Sequence, residues 1–358
     1  SLNKGTQVPN AKTKYDESYV GALSTVIDLT GYDYIKKYLN SKYEVDRILI
    51  QQIQKGLERK NINWSKEVLE RVDRELGSLW EISSKLEQRL SSYYVLTKFI
   101  VELMWKTSLV GVARGSAGAF FICYAIDISQ INPLEYDLPD FRHITKERIE
   151  LPDIDLDSQA SERANILEII KNEFGHRRVL NICTFKTEGT ASAIQTICRG
   201  MNISIDDSKY LSSLVVKDGA SAKSLKKCLE EYDTNAECKL LIDELRKFDV
   251  EHEGFFDSIL TIEGLCNGKS VHASGIYIFN DDYDDINSMM ISNSGQPTTQ
   301  FDMCDSDQMG GLKIDALTIE GLDRIRKTLD LLLKAGKIEW QGSLKATYDK
   351  YLHPNVLE

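Results

Sequence analysis

Between Leu151 and Asp157 the chain reads Leu-Pro-Asp-Ile-Asp-Leu-Asp, and this short alternation restricts its fold most tightly. In a strand, residues i, i+2 and i+4 point to one face. The pattern therefore predicts a strand with Asp153, Asp155 and Asp157 projecting together and Ile154 and Leu156 on the apolar side. Three adjacent like charges cost free energy unless a cation neutralises them. A hard divalent ion such as Mg²⁺, which takes carboxylate oxygens together with substrate phosphates, suits such a face. An edge strand with unbound carboxylates fits the motif alone equally well.

Two further elements narrow the choice. Gly111-Val112-Ala113-Arg114-Gly115-Ser116-Ala117-Gly118 precedes the helical run Ala119 to Ala125. A Gly/Ser turn feeding a helix presents unpaired N–H groups to a phosphate, and Arg114 adds a forked cation. It is not a Walker A loop, because the Gly-Lys-Ser/Thr ending is missing. Later, Gly310-Gly311-Leu312-Lys313-Ile314-Asp315 places Lys313 and Asp315 on one strand face, as a structural ion pair or as part of a site. A Gly-Ser turn, an Asp-x-Asp strand and a lone Asp on a later strand are the arrangement that two-metal phosphoryl transfer requires. That order resembles the nucleotidyltransferase fold typified by DNA polymerase beta.

The rest of the chain supplies a setting. Apolar stripes predict helices from Tyr43 to about Lys106, with Ile48, Leu49, Ile53 and Leu57 in one and Val68, Leu69, Val72, Leu76 and Leu79 in another. Charged residues there read as solvated faces. Ser158 to Phe174 reads as a helix stopped by Gly175. Val179 to Thr184, His272 to Phe279 and Gly311 to Leu317 read as strands, and Ile319 to Ala335 as a helix. Residues 189 to about 262 read as helical and polar with no strand-like alternation. The pattern predicts one α/β domain interrupted by an all-helical one.

Composition excludes several classes. The 358 residues are 42% hydrophobic and carry a net charge of −11, so disorder and a purely electrostatic nucleic-acid coat are both ruled out. No run approaches ~20 apolar residues, the length of a membrane span. Seven cysteines without a CxxC pair predict reduced thiols and a cytoplasmic location. The acidic run Asp281 to Asp285 lacks EF-hand spacing and reads as a solvated turn. His272 reads as a packed, hydrogen-bonded histidine, with DNA or nucleotide contact as the alternative.

Taken together, Val112 to Gly118, Asn132-Pro133-Leu134, Leu151 to Asp157, Ile182 to Thr187, His272-Ala273-Ser274-Gly275, Thr299-Gln300-Phe301-Asp302 and Leu312 to Leu317 resemble the C-family bacterial replicative polymerase, the alpha subunit of DNA polymerase III. These blocks occur in the family's order over about residues 70 to 335. The resemblance implies an α+β fold: a polymerase-beta-like palm interrupted by a helical thumb. It divides the chain into an N-terminal segment 1–42, palm 43–188 and 263–335, thumb 189–262, and a start of fingers or linker at 336–358. It implies Asp153, Asp155 and Asp315 as catalytic carboxylates holding two Mg²⁺ ions, which Mn²⁺ can replace. Asp157 takes a secondary position. Arg114, Gly115, Ser116 and Lys313 are implied at the triphosphate.

Primer-template DNA and deoxynucleoside triphosphates are the implied partners, with a sliding clamp and other replisome subunits acting through regions outside this chain. Residues 183 to 230 carry seven Lys/Arg against five Asp/Glu, which makes Lys186, Arg199, Lys223, Lys226 and Lys227 the candidates for DNA contact. The chain departs from the family at Ala113, at Lys186 and, around the third carboxylate, at Ile314, Ala316, Thr318 and Ile319, and reads as a divergent member. It begins with Ser1, shows no phosphoesterase (PHP) domain or zinc-binding insertion, and stops where fingers should begin. It is therefore expected to be an excised piece with little synthesis of its own. The rival reading is a non-catalytic DNA-binding module that keeps the nucleotidyltransferase fold; three carboxylates facing phosphates would serve no purpose in it. A nucleotide-modifying transferase is disfavoured by the thumb-like insert.

Overall fold

The structure, a computed structural model, describes residues 6–219 and 221–353. It divides into a first unit of Ser1–Ile182 and His272–Glu358 and a second of Cys183–Val271.

In the first unit, the predicted helical region forms helices Glu44–Arg59, Lys66–Leu86 and Leu90–Met104. Their apolar stripes are buried: Leu49, Ile53, Leu57, Val72, Leu76 and Leu79 are fully inaccessible. Ser65 starts the second helix by accepting a hydrogen bond from the Val68 N–H, an N-cap worth ~1 kcal/mol. Leu23, Ile35 and Tyr38, which precede these helices in the chain, enter the same core.

A mixed six-stranded sheet follows these helices in the chain. Its strands are β1 (Asp155–Gln159), β2 (Val179–Thr187), β5 (Cys266–Ile278), β6 (Met289–Ile291), β7 (Pro297–Thr299) and β8 (Leu312–Ile319), in the spatial order β1-β8-β5-β2-β7-β6. β8 runs parallel to β1 and antiparallel to β5. Two boundaries differ from the sequence expectation. The strand begins at Asp155, not Leu151, and continues through Ser158 and Gln159, so the helix that follows starts at Arg163 and ends at Phe174. Ser158 and Gln159 are claimed by the sheet because their neighbours in β8, Thr318 and Ile319, pair with them.

The chain leaves the first unit along β2 and returns along β5. The second unit holds helices Thr190–Gly200, Ile205–Ser213, Leu225–Glu230, Ala236–Glu251 and Phe255–Ile262 around its own core of Ile194, Leu211, Leu241, Leu245, Phe255 and Ile259. It extends beyond the expected 189–262 at both ends because the two strands run on. It also contains a small hairpin, β3 (Lys217–Asp218) with β4 (Ser221–Ala222), which the polar sequence there did not announce.

The acidic run at 281–285 is not simply solvated. Arg177 pairs with Asp282, Asp284 and Asp285, and Arg178 with Asp282, at 2.8–3.1 Å. Such exposed pairs are screened by solvent, so they orient this segment more than they stabilise it. No helix among the described residues is long and apolar enough to cross a membrane.

Candidate active site

The parallel register of β1 and β8 sets Asp155 directly beside Asp315. Neighbouring residues in register point to the same sheet face, so the two carboxylates converge. Asp153, just before β1, joins them: one ligand oxygen from each of the three lies within 4.8 Å of the others. Asp153 is exposed, Asp155 half-buried and Asp315 buried. Burial, and then the charges of Asp153 and Asp315, push the Asp155 carboxyl above its ordinary range.

Asp315 is held on one side only. Its Oδ2 pairs with Lys313 Nζ at 2.6 Å, while its Oδ1 is buried without a hydrogen-bond partner among the described residues. A buried carboxylate oxygen left unpaired is costly, and a cation in the cluster would satisfy it. Lys313 and Asp315 are thus an ion pair and also members of the cluster. β5 closes the other side with Gly275, opposite Asp315 in register. A Cβ there would lie 2.7 Å from Ile182 Cδ1 and 3.1 Å from Asp315 Oδ1, which explains the glycine. His272 fixes this segment: its Nδ1 accepts the N–H of Gly275 at 2.8 Å and of Ser274 at 3.2 Å.

Asp157 does not join the other carboxylates. It sits opposite Leu317, one pleat beyond the Asp155–Asp315 pair, and turns to Arg114, whose Nη1 donates to its Oδ1 at 2.8 Å. The expected face of three carboxylates is therefore two from this motif plus one from β8, and the third aspartate anchors the arginine. Arg114 Nε lies 3.9 Å from Asp155 Oδ2, with the side chain 42% exposed. The guanidinium is thus fixed at the cluster's edge with donors to spare.

The glycine-serine turn also differs from expectation. Gly115 has φ +58, a left-handed conformation that suits glycine. It opens a short 3-10 turn, Gly115–Ala119, and the helix after it covers only Phe121–Ala125. That helix does not offer its first amides to a ligand, because Glu75 takes the N–H groups of Phe121 and Ile122, each at 2.8 Å. Glu75 is in turn paired with Arg71 at 2.6 Å, and Arg71 donates to the carbonyls of Ala119 and Leu138. Both side chains are buried, so reading them as a solvated face fails. The signal was available: 71, 75, 78 and 82 form a row beside the apolar stripe, and Ser78 and Ile82 are buried with them.

Ser116 is joined to a residue the sequence reading passed over. Its Oγ lies 3.0 Å from His143 Nδ1, and His143 Nε2 lies 2.9 Å from the Tyr94 hydroxyl. His143 packs on Phe120 at 4.9 Å between ring centroids. Burial lowers the imidazole from 6.5 to about 4. The unfolded chain therefore takes up this proton first, and stability falls as pH drops from 6.5 towards 4. The expected loss is ~3 kcal/mol. Urea unfolding followed by tryptophan fluorescence should show that loss reduced in His143→Phe; an equal acid loss in the variant would refute it.

Among the candidate DNA-contact residues of the second unit, Lys186, Arg199 and Lys226 are exposed. Lys227 is half-exposed and pairs with Asp218 at 2.6 Å. Lys223 differs: its ammonium binds Glu231 at 2.6 Å and its side chain is only 9% exposed. It is therefore engaged within its own unit rather than available at the surface.

The family of bacterial DNA polymerase III alpha NTPase domains matches residues 47–318, the span that contains the carboxylate cluster and the turn. The chain belongs to this family. It is 46% identical over 338 residues to the "Probable DNA polymerase YorL" of Bacillus subtilis, covering 91% of this chain and 26% of that protein. The same figures hold for the "DNA-directed DNA polymerase" of Bacillus phage SPbeta. The DNA polymerase III subunit alpha of Aquifex aeolicus is 27% identical over 322 residues, covering 82% of this chain and 27% of its own length. The chain thus spans about a quarter of the length of these relatives.

Proposed function

We propose that the first unit is the palm and the second the thumb of a DNA polymerase that adds a deoxynucleotide to a primer 3′-hydroxyl. The observation that carries this reading is the convergence of Asp153, Asp155 and Asp315 beside the turn bearing Arg114 and Ser116, with a buried Asp315 oxygen unpaired. These three carboxylates would hold two divalent ions; hard oxygen donors favour Mg²⁺, with Mn²⁺ a substitute. Such ions lower the pKa of an attacking hydroxyl and neutralise phosphoryl charge. Arg114, locked by Asp157, and Lys313 supply fixed positive charge for the triphosphate. Gly115 lets the backbone turn tightly at that point, and Ser116 offers its hydroxyl.

The test is diffraction from crystals soaked with Mn²⁺ and a deoxynucleoside triphosphate. Anomalous peaks are expected among the three carboxylates, with the triphosphate against the turn. A map with no peak there would refute the assignment, and a peak there would also set aside a purely DNA-binding role.

For the second unit we propose duplex contact through Lys186, Arg199, Lys226 and Lys227. Arg199→Glu with Lys226→Glu should weaken duplex binding similarly for all sequences. The slope of log affinity against log salt should fall by ~2, since each phosphate contact contributes ~0.9. An unchanged slope in fluorescence-anisotropy titrations would move the DNA path elsewhere.

A further inference from the structure

The Ser116–His143–Tyr94 chain decides the polarity of the phosphate-facing hydroxyl, and this inference rests on the reading of the turn as a triphosphate site. We infer that Tyr94 fixes His143 as the Nδ1–H tautomer, so that Ser116 receives a hydrogen bond from the ring and keeps its own hydrogen for a phosphate oxygen.

Tyr94 is fully inaccessible, and among the described residues its hydroxyl has one hydrogen-bond partner, His143 Nε2 at 2.9 Å. A phenol hydroxyl carries a single hydrogen. If His143 carried its proton on Nε2 and donated it, the Tyr94 hydrogen would be buried with no acceptor, at the full desolvation cost of that group. The same holds if the ring were an imidazolium, since both nitrogens would then donate. His143 is buried and its ring bonds two neutral hydroxyls, an environment that disfavours the cation. The remaining arrangement has Tyr94 donating to Nε2, which leaves the proton on Nδ1.

Nδ1–H then donates to Ser116 Oγ across 3.0 Å. This uses a lone pair of the serine and leaves its hydrogen free. Ser116 is half-buried, and Arg114, two residues before it in the same turn, is exposed. The non-bridging oxygens of a nucleoside triphosphate accept hydrogen bonds and donate none. With the opposite tautomer Ser116 would spend its hydrogen on the ring and present only lone pairs, which repel a phosphate. Tyr94 and His143 are thus positioning residues: neither touches the ligand, and both determine what Ser116 can offer it.

Two measurements test this. Long-range ¹H–¹⁵N spectra of the uniformly labelled chain, with the His143 signals identified by their loss in His143→Phe, read the tautomer directly. Protonated Nδ1 is expected; protonated Nε2 overturns the inference whether or not the chain binds nucleotide. Calorimetric titration with Mg²⁺–dATP then compares wild type, Tyr94→Phe, Ser116→Ala and the double variant. Tyr94→Phe removes the donor that holds Nε2 as an acceptor, and should weaken binding ~5- to 10-fold, the scale of one hydrogen bond. Added to Ser116→Ala it should cost nothing more. A full additional loss on the Ser116→Ala background would show that Tyr94 acts through packing and would defeat the inference. Wild-type affinity in Ser116→Ala would instead defeat the triphosphate reading of the turn, and with it the donor role, while the tautomer measurement stands.

Discussion

Asp315→Asn should weaken Mn²⁺ uptake in the presence of dATP by at least ~100-fold, a loss of ~2.7 kcal/mol. A unit charge pair ~4 Å apart is worth ~4 kcal/mol at the effective dielectric of a protein surface, so the expectation is conservative for a divalent ion. Asp315 is the buried member of the cluster, and its Oδ1, unpaired among the described residues, is the atom that would ligate a cation. The substitution keeps the side chain's size, and its amide oxygen can turn to Lys313, now 2.6 Å from the carboxylate. The fold should therefore persist, with an unchanged unfolding midpoint as the control. Asp155→Asn should behave alike. Because burial and its neighbours raise the Asp155 carboxyl, wild-type uptake should decline on acidification before an isolated carboxylate would protonate. Electron paramagnetic resonance counts the free Mn²⁺ in each case. Equal uptake by Asp315→Asn and wild type would remove this residue from any metal site.

The largest loss of stability is expected from Glu75→Leu, ~3–5 kcal/mol, the cost of leaving one partner of a buried ion pair uncompensated. Glu75 is fully buried and satisfies Arg71 together with the amides of Phe121 and Ile122. Arg71→Met combined with Glu75→Leu removes the stranded charge and should recover part of the loss. It should not recover all of it, because those two amides and the carbonyls of Ala119 and Leu138 would still lack their partners. Trp64, Trp80, Trp105 and Trp340, the four tryptophans of the chain, all lie in the first unit, so their fluorescence during urea unfolding reports on that unit alone. A Glu75→Leu variant within 1 kcal/mol of wild type, on the scale of an ordinary surface change, would show that the pair does not support the turn.

What local pattern could carry, the sequence determined by itself. The helices between Glu44 and Met104 followed from the spacing of apolar residues, and the strand at Asp155 from strict alternation, because side-chain direction repeats every 3.6 or 2 residues regardless of what lies opposite. The motifs in their order also sufficed to recognise the family that matches residues 47–318. Tertiary structure decided the partnerships. Alternation put Asp153, Asp155 and Asp157 on one face, but only the register with β8 set Asp315 beside Asp155 and left Asp157 to Arg114. Charge counting made Lys223 look available, whereas the fold gave it to Glu231. Arg71 and Glu75 read as solvated until the Ala119 carbonyl and the Phe121 and Ile122 amides were brought to them, and His143 gained a role only where Tyr94 and Ser116 met its two nitrogens. These partners lie 27 to 49 residues apart in the chain. A polar group's burial is tolerable only when its partner is in place, and at such separations the folded backbone, not the local pattern, brings the partner there.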